Sequence, residues 1–225
     1  MLIDFHVHTL RGSADSDLDP FAMIDRARST GLDGLCITEH DFLWRDQAIE
    51  DYARRHGVAL FQGIEVTTEF GHVSAIGLDR YVGGIYKLPE LRRVIDDVGG
   101  FLIANHPFRY RLDRRHRPRD GSLPVDPDDP QRAAGLEIFS LVDEVEVANG
   151  ACAADENRFA AALARHLGWK GIGGSDSHSA QSLGCAATAL ERRVSTVREL
   201  VAELRAGRYR ACERVNSQPA RGKRP

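Results

Sequence analysis

The chain of 225 residues carries a formal net charge of −3, which suits one globular domain and does not favour a general polyanion-binding protein. Hydrophobic residues make up 42% and charged residues 28%, so the composition excludes a wholly disordered chain. No apolar run approaches the ~20 residues that span a membrane, and the first residues lack the basic start of a secretory signal. The four cysteines are scattered without a CxxC pair, so we expect reduced thiols in a cytoplasmic protein with no membrane partner.

Short apolar runs alternate with longer amphipathic runs along the chain. In chain order these predict strand 2–5, a helix from Pro20 that stops at Gly31, strand 34–38, helix 45–56, strand 58–66, strand 72–78, helix 88–98, strand 101–105, strand 144–148, helix 155–167, strand 171–174, helix 196–205 and strand 209–212. Asp19 before Pro20 is typical of a helix start, and Thr196 with Glu199 has the spacing of a capping box. The regular alternation favours parallel βαβ units in one α/β domain over residues 1–213.

Two segments fall outside this alternation. Residues 109–130 are polar and proline-containing, and are predicted to form a long loop that carries six arginines between positions 109 and 119. Residues 214–225 form a basic tail with few apolar side chains, which we expect to be disordered.

Histidines and carboxylates stand where the predicted strands end. His6 and His8 follow the first strand as His-Val-His; alternate residues of a strand share a face, so both imidazoles leave one face together. Other strands are followed by His40, Glu65, His106, Asp176 and His178, and His72 opens the fourth strand. Sites in α/β folds are built at the carboxyl ends of strands, so we expect these side chains to converge on a metal site. His56 and His166 instead fall at helix ends, and His116 falls in the arginine-rich loop.

Five motifs together resemble the polymerase and histidinol phosphatase (PHP) family, and they occur in that family's order. They are His6-Val7-His8-Thr9, Ile37-Thr38-Glu39-His40-Asp41, Gly63-Ile64-Glu65, His106-Pro107 and Gly174-Ser175-Asp176-Ser177-His178. The resemblance runs from residue 4 to about residue 184 and fits the smaller stand-alone members. It implies a distorted (βα)7 TIM-like barrel, two or three metal ions at the C-terminal strand ends, and hydrolysis of phosphate esters.

The resemblance also implies a ligand set. The first metal would be bound by His6, His8 and Asp176, the second by His72 and His106, and the third by His40 and His178, with Glu65 bridging two metals. The third metal also needs an acidic residue, and members often carry it where this chain has Ser13. Asp15 or Asp17 is available here, and Asp15 is the favoured ligand.

A ligand set of imidazoles and carboxylates without thiolates suits zinc, manganese or iron. Two metals about 3.5–4 Å apart would hold a hydroxide for in-line attack on phosphorus, so no nucleophilic serine is required. Ser175 and Ser177 are therefore interpreted as turn residues. Asp15 or His178 is the candidate for protonating the leaving oxygen.

Arginine offers a donor fork for phosphate, and Arg109 lies three residues after His106, so it is the candidate phosphate-binding residue. Arg45 is a lesser candidate. The arginine-rich loop is also a candidate for binding a nucleotide or a short nucleic acid. The simpler interpretation is a solvent-exposed loop without a binding role. The expected substrate is a small phosphorylated molecule or nucleotide, as monoester or diester. The residues predict neither its identity nor the oligomeric state.

Two other functions remain open. A metal-dependent amidohydrolase on a TIM barrel also begins with His-x-His, but many of these bridge their metals with a carboxylated lysine. Lys87 falls near a helix start and Lys170 before a late strand, so neither suits that role as Glu65 does. The third hypothesis is a catalytically silent module that binds a metal or a nucleotide.

Overall fold

The computed structural model describes residues 1–112 and 129–213, and within these it contains nine strands and seven helices. The strands are β1 (Leu2–Val7), β2 (Gly34–His40), β3 (Ala59–Thr68), β4 (Gly71–Ile76), β5 (Phe101–Ala104), β6 (Glu144–Asn149), β7 (Ile172–Gly174), β8 (Ala186–Leu190) and β9 (Tyr209–Glu213). The helices are α1 (Pro20–Ser29), α2 (Gln47–Arg55), α3 (Leu88–Val98), α4 (Pro130–Ala133), α5 (Ile138–Leu141), α6 (Ala154–Leu167) and α7 (Val197–Arg205). The predicted tail, 214–225, and most of the predicted loop 109–130 lie outside the described residues.

Helix starts follow the sequence signals closely. The Asp19 carboxylate accepts hydrogen bonds from the backbone N–H groups of Phe21 and Ala22, and so caps α1. Thr196 and Glu199 form the predicted capping box of α7. The predicted helix 45–56 begins two residues later than expected, because Asp46 and not Arg45 provides the cap.

The sheet has the order β7-β6-β5-β4-β3-β2-β1-β8-β9. β1, β2 and β3 are mutually parallel, and so are β5, β6 and β7, but β4 is antiparallel to both of its neighbours. The expectation of parallel βαβ units throughout is therefore wrong at this point. Only two residues separate Thr68 of β3 from Gly71 of β4, which allows a hairpin but not a crossover helix.

The sheet curls into a nearly closed barrel, which confirms the predicted fold class. Just beyond β7, Ser177 forms a parallel bridge with Val7, and the backbone N–H of His8 donates to the Ser177 carbonyl at 2.9 Å. The first half of β1 pairs instead with β8, in antiparallel register. Asp4, fully buried where the two pairings diverge, accepts from the backbone N–H groups of Ser175 at 2.8 Å and Gly184 at 2.9 Å. Asp4 thus fixes the turn that follows β7.

Apolar clusters pack the helices against the sheet. Ile95 of α3 and Leu163 of α6 share one cluster with Val145 of β6, and Leu200 of α7 packs in another with Phe101 of β5. Within residues 1–112 and 129–213, no helix combines the length and apolar character needed to cross a bilayer.

Candidate metal centre

The Glu65 carboxylate lies at the centre of the predicted ligand set. Glu65 comes from β3 and is completely buried. Five imidazoles surround it; the nitrogen–oxygen distances are 3.2 Å for His6, 3.3 Å for His8, 3.0 Å for His40, 3.1 Å for His72 and 3.2 Å for His106. Residues far apart in sequence thus meet because parallel strands end, and antiparallel β4 begins, at the same rim of the barrel.

Asp176 forms a second carboxylate position beside Glu65. Its Oδ1 lies 3.5 Å from Nε2 of both His6 and His8, and its Oδ2 lies 3.8 Å from Nε2 of His106. Asp176 and His106 both have positive φ angles, 52° and 28°, which residues other than glycine rarely adopt. Such backbone strain tends to occur at functional sites. Here it turns both side chains into the cluster.

A third group of side chains includes Asp15, one of the two acidic residues between which the sequence did not decide. The Oδ2 of Asp15 lies 3.2 Å from Nε2 of His178 and 3.5 Å from Nε2 of His40. The His8 ring stacks on both His40 and His178, with centroids 4.3 Å apart in each case. Asp17 donates its backbone N–H to the His178 carbonyl. The structure therefore places the Asp15 carboxylate beside both His40 and His178.

The proton positions of the histidines fit metal binding. Nδ1 of His178 lies 3.1 Å from the carbonyl oxygen of Asp176, which can only accept, so the proton is on Nδ1 and the Nε2 lone pair is available. Nδ1 of His6 faces Glu146 at 3.1 Å in the same way. Nε2 of His6, His8 and His178, and Oε2 of Glu65, are buried without a hydrogen-bond partner. Such atoms are costly unless they bind something.

Within the described part of the chain, four sets of three residues offer ligand atoms within 4.8 Å of one another. They are His6, His8 and Asp176; His6, Glu65 and His106; His40, Glu65 and His72; and His8, His40 and His178. The residues present therefore fit more than one metal ion. His56 lies elsewhere, with its Nδ1 2.8 Å from the Tyr52 carbonyl at the end of α2, and His116 lies outside the described residues.

Sequence reasoning missed the residues that support these ligands. Glu146 of β6 contacts His6 through Oε1, while its Oε2 accepts from the His106 backbone N–H and the Asn149 side-chain amide, both at 2.9 Å. Asn105 donates to Glu65 at 2.9 Å. The one feature of the sequence that could have indicated Glu146 is its position between Val145 and Val147 in a predicted buried strand.

The electrostatics of the cluster are strongly coupled. Burial disfavours a charged His6, but the carboxylates of Asp176, Glu65 and Glu146 outweigh it and raise the pKa of His6 well above its usual value. Burial likewise opposes ionisation of Glu65, yet His6 and the other imidazoles hold its pKa well below the usual range. The centre thus favours bound positive charge, whether protons or metal cations.

Arg109 lies beside the cluster, as predicted. Its Nη2 contacts the Asp176 carboxylate and donates to the Asn149 side-chain carbonyl at 2.9 Å. Burial would lower the pKa of Arg109, but Asp176 raises it above its usual value, so the guanidinium stays charged. Arg109 also lines a cavity of about 330 Å³ together with His72, His106, Tyr110 and Arg111.

The prediction for Arg45 is not supported by the structure. Arg45 lines a separate, larger cavity of about 670 Å³, together with Asp33 and Arg193 near the N-terminal ends of β2 and β3. That cavity contains none of the histidines described above, so we locate the functional site at the histidine cluster and not at the larger cavity.

A barrel whose strand ends carry an imidazole and carboxylate cluster defines a class of metal-dependent hydrolases on TIM-like scaffolds. The chain belongs to the PHP family: the model of the PHP domain matches residues 4–121, and the model of the PHP-associated region matches residues 154–209. Family membership supports a metal-dependent hydrolase. No curated protein sequence matches the chain significantly.

Solved structures share the fold. PsfC from Pseudomonas syringae PB-5123 is 22% identical with a TM-score of 0.64, and the match covers 95% of this chain and 91% of PsfC. An amidohydrolase from Chromobacterium violaceum, solved with bound sulfate, is 19% identical with a TM-score of 0.62, covering 89% of this chain and 96% of that one. A candidate metal-dependent phosphoesterase from Bifidobacterium adolescentis is 18% identical with a TM-score of 0.54, with the same coverage.

Proposed function

We propose that the protein is a phosphoesterase that hydrolyses a phosphate ester with two to three bound divalent metal ions. The observation that carries the proposal is the close placement of Arg109 and the histidine cluster. A charged guanidinium lies against Asp176, which is itself among the candidate metal ligands. Such a pairing of donor fork and cation site suits a phosphoryl group, which carries several negatively charged oxygens.

The proposed metal positions follow the ligand groupings of the cluster. His6, His8 and Asp176 would hold one ion; Glu65, with His72 and His106, a second; and Asp15, His40 and His178 a third. Imidazole and carboxylate donors suit zinc, manganese or iron. When bound, such ions supply a hydroxide at neutral pH and neutralise charge on the phosphoryl oxygens.

The chain's own residues bind the substrate and move protons. Arg109 binds and orients the phosphoryl group through its guanidinium N–H donors. Asp15 and His178 face each other at 3.2 Å, and the one of the two that is not bound to the third ion would carry the proton that goes to the leaving oxygen. Ser175 and Ser177 are not assigned as nucleophiles, because the bound metals would supply a hydroxide. Their hydroxyls donate instead to the backbone carbonyls of His6 and Ser179.

The leaving group of the substrate is proposed to occupy the cavity of about 330 Å³ beside His72 and His106. Tyr110 and Arg111 line this cavity, and the Tyr110 side chain is 68% exposed. A cavity lined by an aromatic ring and by arginines suits a nucleobase, since base stacking contributes roughly 1–3 kcal/mol. A nucleotide, or the end of a short nucleic acid, is therefore the proposed substrate class.

The positions of the lysines support a phosphate ester over an amide. Neither lysine among the described residues suits a carboxylated bridge between metals: Lys87 precedes α3, and Lys170 donates its backbone N–H to Glu144.

The test compares four substrates with the metal-loaded protein: an aryl phosphate monoester, an aryl phosphate diester, a nucleoside monophosphate and an acyl amide. We expect hydrolysis of a phosphate ester and none of the amide. Arg109→Met should lower kcat/KM for the phosphate ester by ~10–100-fold, because it removes charge-assisted hydrogen bonds of about 1.5–3 kcal/mol. Arg92→Gln, on α3 and paired with Asp143, is the control for loss of an arginine. Hydrolysis of the amide alone would overturn the proposal.

A second comparison tests the nucleotide assignment. Tyr110→Ala should raise KM for the nucleoside monophosphate and leave KM for ribose 5-phosphate unchanged, because only the nucleotide has a base to stack. Equal effects on both substrates would contradict a base-binding role for Tyr110.

A further inference from the structure

A second buried carboxylate, Glu39, lies next to the metal centre without joining it. Glu39 belongs to β2 and is 1% exposed. Its oxygens accept four hydrogen bonds: from the Thr9 backbone N–H at 3.0 Å, the Thr9 hydroxyl at 2.5 Å, the Ser13 hydroxyl at 2.6 Å and the Trp44 indole N–H at 2.7 Å. All four donors are neutral groups, so hydrogen bonding alone satisfies a carboxylate buried away from water.

The surroundings of Glu39 keep its two oxygens in fixed roles. The Trp44 indole, which can only donate, bonds Oε1, while the Thr9 backbone N–H, also an obligate donor, bonds Oε2. Gly12 packs so closely that a Cβ there would lie 2.6 Å from Cγ of Glu39. The loop after β1 therefore wraps tightly around this side chain.

Ser13 connects Glu39 to His8. A serine hydroxyl has one proton and two lone pairs. Because Glu39 accepts that proton at 2.6 Å, Ser13 can only accept from its other neighbours, and Nδ1 of His8 lies 3.1 Å away. Nδ1 of His8 therefore carries a proton. In the neutral ring Nε2 keeps the lone pair, and Nε2 is the buried atom without a hydrogen-bond partner beside Glu65 and Asp176.

The two histidines of the His-Val-His motif are thus oriented differently. Nδ1 of His6 contacts the Glu146 carboxylate directly at 3.1 Å, whereas Nδ1 of His8 is linked to the Glu39 carboxylate through the Ser13 hydroxyl. Partners on the outer nitrogen of a metal-binding histidine fix its tautomer and raise its affinity for the metal.

We propose that Ser13, held by Glu39, is a positioning residue that fixes His8 as the Nδ1-protonated tautomer and thereby sets metal affinity at the group His6, His8 and Asp176. This inference rests on the metal-binding part of the proposed function. It does not depend on which substrate is hydrolysed.

Ser13→Ala tests the proposal, and Ser16→Ala is its matched control. Ser16 lies in the same loop and donates to the backbone carbonyls of His8 at 2.9 Å and His178 at 3.2 Å, but it does not contact an imidazole. Ser13→Thr keeps the hydroxyl and should restore the wild-type behaviour. Ser13→Cys, with a weakly accepting thiol, replaces Ser13→Ala if the alanine variant does not fold.

The first readout is the tautomer of His8 in the metal-free protein. Nitrogen-15 NMR distinguishes the two neutral tautomers from each other and from the doubly protonated ring, and the spectra are compared at a pH where the His8 shifts show a neutral ring. We expect the Nδ1–H form in the wild type, Ser16→Ala and Ser13→Thr, and a mixture or the Nε2–H form in Ser13→Ala. An unchanged His8 tautomer in Ser13→Ala would overturn the proposal.

The second readout is zinc affinity, measured by competition with a chelator. Ser13→Ala should bind zinc ~10–100-fold more weakly, the loss typical of removing a partner of a metal ligand. Ser16→Ala should match the wild type, and an equal loss there would show a general loop effect and refute the specific role of Ser13. Neither readout uses catalysis. A protein that shows both Ser13 effects but cleaves no phosphate ester would overturn the phosphoesterase proposal alone.

Discussion

Replacing Glu146 with glutamine should weaken metal binding although Glu146 is not itself a proposed metal ligand. Glu146 accepts one hydrogen bond on Oε1, from Nδ1 of His6, and two on Oε2, from the His106 backbone and the Asn149 amide. A glutamine has one oxygen and one NH2 group, so one side must lose its acceptor. If the glutamine oxygen keeps the two bonds that Oε2 accepts, its NH2 group faces Nδ1 of His6. Two donors cannot bond each other, so a neutral His6 would have to carry its proton on Nε2, the nitrogen proposed to bind metal.

The size of the effect follows from that single lost contact. A hydrogen bond to a charged group contributes about 1.5–3 kcal/mol, which corresponds to ~10–100-fold in affinity. We therefore expect Glu146→Gln to weaken metal binding by that factor, measured by chelator competition, while the proposed ligands stay unchanged.

Glu144→Gln is the matched control, because Glu144 is an equally buried acid two residues earlier on the same strand. It accepts from the Tyr209 hydroxyl and the Lys170 backbone instead of a histidine. It should lower the melting temperature and leave metal affinity intact. Wild-type affinity in Glu146→Gln, or an equal loss in Glu144→Gln, would refute the reasoning.

Three further outcomes are expected. Asp15→Asn should remove the third proposed metal, the one assigned to Asp15, His40 and His178, in elemental analysis, whereas Asp17→Asn should not. Gly174→Ala should lower the free energy of unfolding by ~1–3 kcal/mol in urea titrations, because its Cβ would lie 2.5 Å from Cβ of His6. The raised pKa of His6 stabilises the metal-free protein fully below the ordinary value of 6.5 and less as pH rises through the higher folded value. Metal-free melting temperatures should therefore fall above pH 6.5, and added zinc should reverse the fall, since a cation replaces the proton.

The convergence of the histidines and carboxylates could be predicted from the sequence, because most of them directly follow apolar runs. Apolar runs mark the strands, and polar residues directly after a run fall at the barrel rim. His40 and His106 could be located in this way although they belong to different βαβ units. The acid near His178 stayed ambiguous, because Asp15 and Asp17 lie in a loop whose path no periodic pattern describes.

The supporting residues could not be predicted because their partners are distant in sequence. Glu146 and His6 are separated by 140 positions, and Asp4 and Ser175 by 171. An acid in a single strand does not indicate which distant histidine or backbone group it will bond. Ser13 is similar, since only the structure brings it between Glu39 and His8.

Local errors in the fold also have physical causes. β8, with the sequence Ala-Ala-Thr-Ala-Leu, was missed because alanine has little strand preference and the strand depends on pairing with β1 and β9. The four-residue helices α4 and α5 are too short to show a helical period. β3 and β4 form an antiparallel hairpin instead of the expected βαβ unit, because the connection between them is too short for a helix.

The most direct test of the central claim combines metal content with hydrolysis in one preparation. The protein is purified without chelator, its bound metals per chain are counted by elemental analysis, and hydrolysis of an aryl phosphate monoester and diester is assayed with added manganese or zinc. The account predicts two or three metal ions and phosphate-ester hydrolysis, with both reduced in His6→Ala. A chain that binds no metal under any of these conditions would contradict it, because the proposed reaction depends on metal ions held by the histidine and carboxylate cluster.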